Sequence, residues 1–236
     1  MATVVLLRHA RSTANGSGVL AGRSPGVELD ESGRKQADEL VARLASVPLV
    51  EIVCSPLLRC EQTIAPLVAA RGLTPVTEQD LSEVDYGDWT NRELKDLGKE
   101  KLWSVVQQHP SAAVFPGGEG LANVQARAVA AVRAHDARIT SEHGPGAVWL
   151  LCSHGDVLKS ILADALGQHL DTFQRIVVNP ASVSVVQYTE HRPFVLRMND
   201  NGGELASIVP PKPRPAEVDE DRPSDAVPGG DPGPQA

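Results

Sequence analysis

Val4-Val5-Leu6-Leu7 is an apolar run of strand length that stops abruptly at Arg8-His9, followed by the small polar cluster Ala10-Arg11-Ser12-Thr13-Ala14-Asn15. An uninterrupted apolar run bounded in this way suits a strand buried on both faces. Two further runs resemble it, one of them interrupted by Glu51. Leu49 to Cys54 runs into Ser55-Pro56, and Ala147 to Cys152 runs into Ser153-His154-Gly155-Asp156. Helical spacing follows the first and third runs: Ala37, Leu40, Val41 and Leu44 after the first, and Val157, Leu158, Ile161, Leu162, Ala165 and Leu166 after the third. Three strand–helix units predict an α/β fold of three layers, with a mostly parallel central sheet and helices on both faces. Val183 to Tyr188 and Phe194 to Met198 would complete the sheet. In such sheets ligands bind beyond the carboxyl ends of the strands, so the polar stops mark the expected site.

The connections carry further expectations. Gly16 to Gly33 reads as a loop folding back over the first strand end. Asp30 or Ser32 would cap the helix that follows. Ser55 suits an N-cap and Pro56 the first helical position, placing Arg59 in a first turn beside free backbone N–H groups, an arrangement that attracts anions. Pro66 would kink that helix. Pro75 to Thr77 suggests a short strand, and Leu81 to Trp89 lacks a sustained period and reads as a loop. Leu94, Leu97, Leu102, Val105 and Val106 mark a helical excursion ending before Pro110. After the break at Pro116-Gly117-Gly118, a long helix buries Leu121, Val124, Ala128, Ala131, Val132, His135 and Ile139, which gives His135 a structural role. His109, His143, His169 and His191 read as surface residues. Trp103 and Trp149 read as packing residues, as does Trp89, the best placed of the three to meet a substrate.

Charge narrows the function classes. The 236 residues carry a formal charge of −8, of which six acidic and three basic residues in 210–236 contribute −3. The remaining −5 argues against a nucleic-acid binder, whose affinity comes from clustered Lys and Arg. No apolar run is long enough for a signal segment or a membrane span. Cys54, Cys60 and Cys152 form an odd set without metal spacing, as expected of reduced thiols in a cytoplasmic protein. The expected organisation is one domain over 1–209 and a Pro/Gly/acidic tail over 210–236, with eight prolines and no apolar period, read as disordered.

Four segments then stand out in order: Arg8-His9, Ser55-Pro56-Leu57-Leu58-Arg59-Cys60-Glu61-Gln62-Thr63, Leu81-Ser82-Glu83, and Ser153-His154-Gly155. Together they resemble the signature of the histidine phosphatase superfamily, also called the phosphoglycerate mutase-like family, over roughly residues 3–200. The resemblance implies a phosphoglycerate mutase-like fold with His9 as nucleophile, forming a phosphohistidine. It implies that Arg8, Arg59 and His154 hold the non-bridging oxygens and that Glu83 protonates the leaving alkoxide and later activates water. Ser12, Asn15 and Gly22 match positions lining the phosphate pocket, and Tyr86 stands where the family's mutases carry a tyrosine. No metal and no cofactor are expected, and the partner would be a small phosphorylated metabolite; a homodimer stays open. Two physical requirements follow. His9 must be neutral, with an acceptor fixing its other ring nitrogen. Glu83 needs a pKa raised by burial or by a nearby carboxylate.

Some positions depart from the family pattern. Ala10 replaces the usual glycine after the histidine, Gly118-Glu119-Gly120 replaces Gly-Glu-Ser, and Thr90-Asn91-Arg92 replaces Glu-Gly-Arg. Between Tyr86 and Glu119 the sequence offers only Arg92, Lys95, Lys99 and Lys101, without the paired arginines that mutases use to grip a second acidic group. Gly87-Asp88-Trp89 also looks phosphatase-like. Hydrolysis of small phosphate monoesters is therefore the leading reading. The alternatives are a phosphomutase and a non-catalytic phospholigand-binding module on the same fold.

Overall fold

Residues on the central strands alternate between two cores because successive side chains point to opposite faces of a sheet. Val4 and Leu6 of β1 (Thr3–Arg8) join one apolar cluster, and Val5 and Leu7 join the other. Trp149 and Leu151 of β4 (Val148–Ser153) face the first cluster, whereas Leu150 and Cys152 face the second. This two-sided burial explains why the strands read as unbroken apolar runs. The computed structural model describes residues 1–203 and Pro228–Gly229.

Six strands form one sheet in the order β3-β2-β4-β1-β5-β6, with β2 at Leu49–Cys54, β3 at Val76–Thr77, β5 at Val183–Gln187 and β6 at Phe194–Asp200. β3, β2, β4 and β1 are mutually parallel, whereas β5 pairs antiparallel with β1 and β6 antiparallel with β5 on one side. The expected three-layer architecture is observed. α2 (Glu31–Arg43) and α3 (Leu58–Arg71) cover one face, and α6 (Leu121–His143) and α7 (Gly155–Ala165) cover the other. All of α7 except Asp164 is buried.

Several local expectations change. The loop after β1 begins with a short helix, α1 (Thr13–Ser17), because Ser12 and Asn15 satisfy one another's backbone in a capping box. Asp30, not Ser32, caps α2 by accepting from the Gly33 N–H at 2.8 Å. Ser55 does not cap α3. That helix starts at Leu58 after an N-cap at Leu57 without a side-chain cap, and the Ser55 hydroxyl instead meets a buried histidine. Arg59 remains in the first turn, and α3 runs on through Pro66. The excursion after Trp89 comprises two helices, α4 (Leu94–Leu97) and α5 (Lys101–Gln108). His135 lies on the buried stripe of α6 and bonds Glu78 at 2.9 Å, while the other four loosely placed histidines are exposed. All three tryptophans are buried, and Trp89 stacks on Trp103. Among the described residues no helix is long and apolar enough to cross a membrane.

Candidate active site

Register assembles the site. β1 pairs with β4 so that Leu7 lies beside Cys152 and Arg8 beside Ser153, and Cys152 also pairs with Cys54 of β2. The three parallel strands therefore end level with one another. The next residue on β1 is His9 and the next on β4 is His154, whose ring centroids lie 5.2 Å apart. The His9 N–H continues the ladder to the Ser153 carbonyl at 2.9 Å. Arg59 reaches the same place from the first turn of α3, its Nη2 donating to the Gly22 carbonyl at 2.8 Å. The turn after His9 is tied to that helix. The Ala10 N–H donates to Thr63 Oγ1 at 2.9 Å, and the Thr63 hydroxyl donates to the Arg59 carbonyl at 2.6 Å. Arg8, His9, Arg59, Glu83 and His154 are all buried, so their charges and lone pairs work with little screening by water.

His9 meets the requirements placed on it. Its Nδ1 lies 2.8 Å from the Ala10 carbonyl, which only accepts, so Nδ1 carries the proton and Nε2 keeps its lone pair. Burial, then the Arg59 and Arg8 guanidiniums, push its pKa well below the ordinary 6.5, against the opposing bond to Ala10. His154 stands at the N-cap position of α7 without a side-chain cap bond, and its pKa is driven well down by burial and by Arg59, His9, Arg8 and Arg127. Its Nε2 sits 2.7 Å from Ser55 Oγ and 3.5 Å from Cys60 Sγ, both able to donate. With Nε2 accepting, Nδ1–H turns toward Glu83, whose Oε2 is 3.9 Å away.

Glu83 sits on a loop clamped from behind. Arg23 Nε and Arg127 Nη2 donate to its carbonyl at 2.7 and 3.3 Å. Both arginines are held by Glu119, which also accepts from the Asp85 N–H at 2.9 Å. Gly118 and Gly87 let the two loops meet backbone to backbone. A Cβ on Gly118 would fall 2.2 Å from the Asp85 carbonyl oxygen, and one on Gly87 would fall 2.1 Å from that of Pro116. The Glu83 carboxyl has its pKa raised to about 7, by burial first and the Asp156 carboxylate second, against Arg59, the Val84 N–H and Arg8. A carboxyl poised there can both give and take a proton near neutrality.

The pocket is lined by His9, Arg59, Glu83, Ser12, Asn15, Gly22 and Tyr86; Arg8 and His154 do not line it but adjoin it, His154 beside the His9 ring and Arg8 through Gly229, so the structure brings the predicted site residues to one place. Ser12 and Asn15 bond each other in the α1 cap while facing the pocket. Tyr86 is fully buried, and its hydroxyl, held protonated by burial and by Asp156, donates to Asp156 Oδ2 at 2.9 Å. Asp156, Ser55, Thr63 and Glu119 take parts in the site that the sequence did not assign. Each stands within a motif or family position already marked in the sequence, but nothing local gave it a role. Among the described residues no group of three His, Cys, Asp or Glu side chains is placed to hold a metal ion.

The expected tail falls largely outside the described residues, at 210–227 and 230–236. Pro228 and Gly229 are described, and they lie in this pocket. Gly229 accepts from Arg8 Nη2 at 3.1 Å and donates to Asp156 Oδ2 at 2.8 Å. At this point the tail is in contact with the body of the protein.

Comparison with known proteins agrees with the geometry. The family model of the histidine phosphatase superfamily (branch 1) matches residues 4–201. Phosphoserine phosphatase 1 of Hydrogenobacter thermophilus is 30% identical over 205 residues, covering 84% of this chain and 92% of the relative. A probable phosphoglycerate mutase, GpmB of Yersinia pestis, is also 30% identical, over 192 residues covering 80% and 86%. Among solved structures, Bacillus stearothermophilus YhfR superposes with a TM-score of 0.77 at 26% identity, covering 85% of this chain and 98% of that one.

Proposed function

As a member of the histidine phosphatase superfamily, to which this chain belongs, the protein is a phosphoryl-transfer enzyme, and we propose that it hydrolyses small phosphate monoesters through a phosphohistidine on His9. One observation carries this reading. A neutral histidine, its Nδ1 tied to a carbonyl, feels the charge of two buried guanidiniums and shares a pocket with a carboxyl of pKa about 7. In the first step His9 Nε2 attacks phosphorus, the ester P–O bond breaks, and Glu83 gives its proton to the departing oxygen. Arg8, Arg59 and His154 Nδ1–H stabilise charge on the non-bridging oxygens. In the second step water attacks phosphorus, Glu83 takes its proton, and the P–N bond breaks to release orthophosphate and neutral His9.

Hydrolysis is favoured over mutase chemistry by the segment between Tyr86 and Glu119. Arg92 is engaged by Glu100 at 2.7 Å, Lys95 by Glu93 at 2.6 Å and Lys99 by Asp96 at 3.7 Å. These cations are occupied by neighbouring carboxylates instead of converging on a second acidic group of a substrate. The two relatives at equal identity carry one phosphatase and one mutase name, so the preference rests on this chain's residues. Because the guanidiniums supply the positive charge, nitrophenyl phosphate turnover should survive exhaustive EDTA treatment; loss restored by Mg²⁺ or Zn²⁺ would refute the metal-free mechanism. His9→Ala should abolish turnover and the acid-labile phosphoenzyme while keeping the melting temperature nearly unchanged. Substantial activity in that variant would remove the nucleophile assignment. The three free, buried thiols support a reducing, cytoplasmic setting.

A further inference from the structure

We propose that the Pro228–Gly229 turn of the chain's own C-terminal segment is a resident occupant of the phosphoryl pocket, anchored between Arg8 and Asp156 and competing with substrate. The contact uses both polar atoms of one residue. The Gly229 carbonyl accepts from Arg8 Nη2 at 3.1 Å, and its N–H donates to Asp156 Oδ2 at 2.8 Å. Both partners are charged and fully buried, and hydrogen bonds to charged groups are the stronger kind. Asp156 is receptive to such a donor. Oδ2 also accepts from Tyr86, Oδ1 has no hydrogen-bond partner, and the Lys159 ammonium stands 3.7 Å from Oδ1.

The turn's sequence suits the place. Gly229 has φ +81°, in the left-handed region that favours glycine, and a Cβ would stand 3.5 Å from Leu20 and 3.7 Å from the Tyr86 hydroxyl, against the pocket wall. Pro228 fixes one torsion before binding, which lowers the entropy lost on docking.

Occupancy has a kinetic consequence that rests on the phosphatase reading. Arg8 is one of the two guanidiniums assigned to the transferring group, so a phosphoryl oxygen and the Gly229 carbonyl compete for it. A dianionic phosphate interacts more strongly with Arg8 and Arg59 than a neutral carbonyl does, so saturating substrate displaces the turn and kcat is unaffected. The turn belongs to the same chain, so its docking is intramolecular, and an effective concentration of about 1 mM sets the scale. A turn that binds with a Kd of roughly 0.1–1 mM would then raise KM about 2- to 11-fold.

The test uses the full-length chain and Gly229→Val, a change outside the catalytic machinery. The readouts are kcat and KM for nitrophenyl phosphate and, without turnover, the Kd of orthophosphate by calorimetry. Gly229→Val should lower both KM and the phosphate Kd by about 2- to 11-fold at constant kcat. A synthetic peptide of residues 221–236 added to that variant should inhibit competitively, and the same peptide carrying Gly229→Val should not. Unchanged KM and phosphate Kd, or a peptide without competitive effect, would overturn the proposal. Tighter phosphate binding in a protein that hydrolyses no phosphate ester would instead retain the docked turn and refute the phosphatase reading.

Discussion

Glu83→Gln should make the protein more stable as well as less active, and the gain should grow with pH. Glu83 is 3% exposed, and burial with the Asp156 carboxylate moves its pKa from 4.5 to about 7 in the folded state. A carboxyl with a raised folded pKa favours the fold while protonated. Its contribution is fully present below pH 4.5 and is lost as pH rises through about 7. At about 1.36 kcal/mol per pH unit, the ionised form costs the fold about 3 kcal/mol by pH 8. Glutamine keeps the shape and the acceptor for the Val84 N–H but cannot ionise. The variant should match the wild type near pH 4 and exceed it by about 3 kcal/mol at pH 8, roughly 6–12 °C in Tm for a chain of this size. Calorimetric melting of both proteins from pH 4 to 8.5 reads this directly, because the other titrating groups are common to the pair. A difference in Tm that does not vary with pH would refute the reasoning. It would mean that Glu83 ionises as a solvated carboxyl does.

The remaining predictions concern catalysis. In wild type, kcat/KM should fall as pH rises through about 7, where Glu83 loses the proton it must donate, with no acid limb near 6.5 because His9 stays neutral well below that value; a profile still rising through pH 8 would contradict the acid role. Asp156→Asn should move the alkaline limb to lower pH, since Asp156 helps raise Glu83, and an unmoved limb would show that burial alone sets it. Glu83→Gln should lower kcat/KM for an alkyl phosphate more than for nitrophenyl phosphate, whose leaving group needs little protonation. The gap could reach about 10²-fold, and equal losses would transfer the acid role to another group.

The legible part of this protein is the part where one residue has one physical reason to be there. A strand buried on both faces has to be apolar throughout, so β1 and β4 announce themselves, β2 does so despite Glu51, and the polar residue that ends each run marks the level of the site. Once the three ends are level, the separations of His9, Arg59 and His154 follow from register and from one helical turn. Ser55 shows where this reasoning fails. A serine before Pro56 has a good local partner in the next helix, but the buried His154 ring nitrogen has fewer ways of being satisfied, and the hydroxyl goes there instead. Asp156 was hidden for the opposite reason. An aspartate in the first turn of a helix is common enough to need no explanation, and only the fold reveals Tyr86 and Gly229 as its partners. The Arg8–Gly229 contact joins residues 221 positions apart through a segment with no apolar period, so no local pattern could encode it. What makes that contact readable in the structure is the site itself. A buried guanidinium and a buried carboxylate that both reach one residue fit any group offering an acceptor and a donor together, and the backbone C=O and N–H of a single residue are the commonest such pair a protein carries.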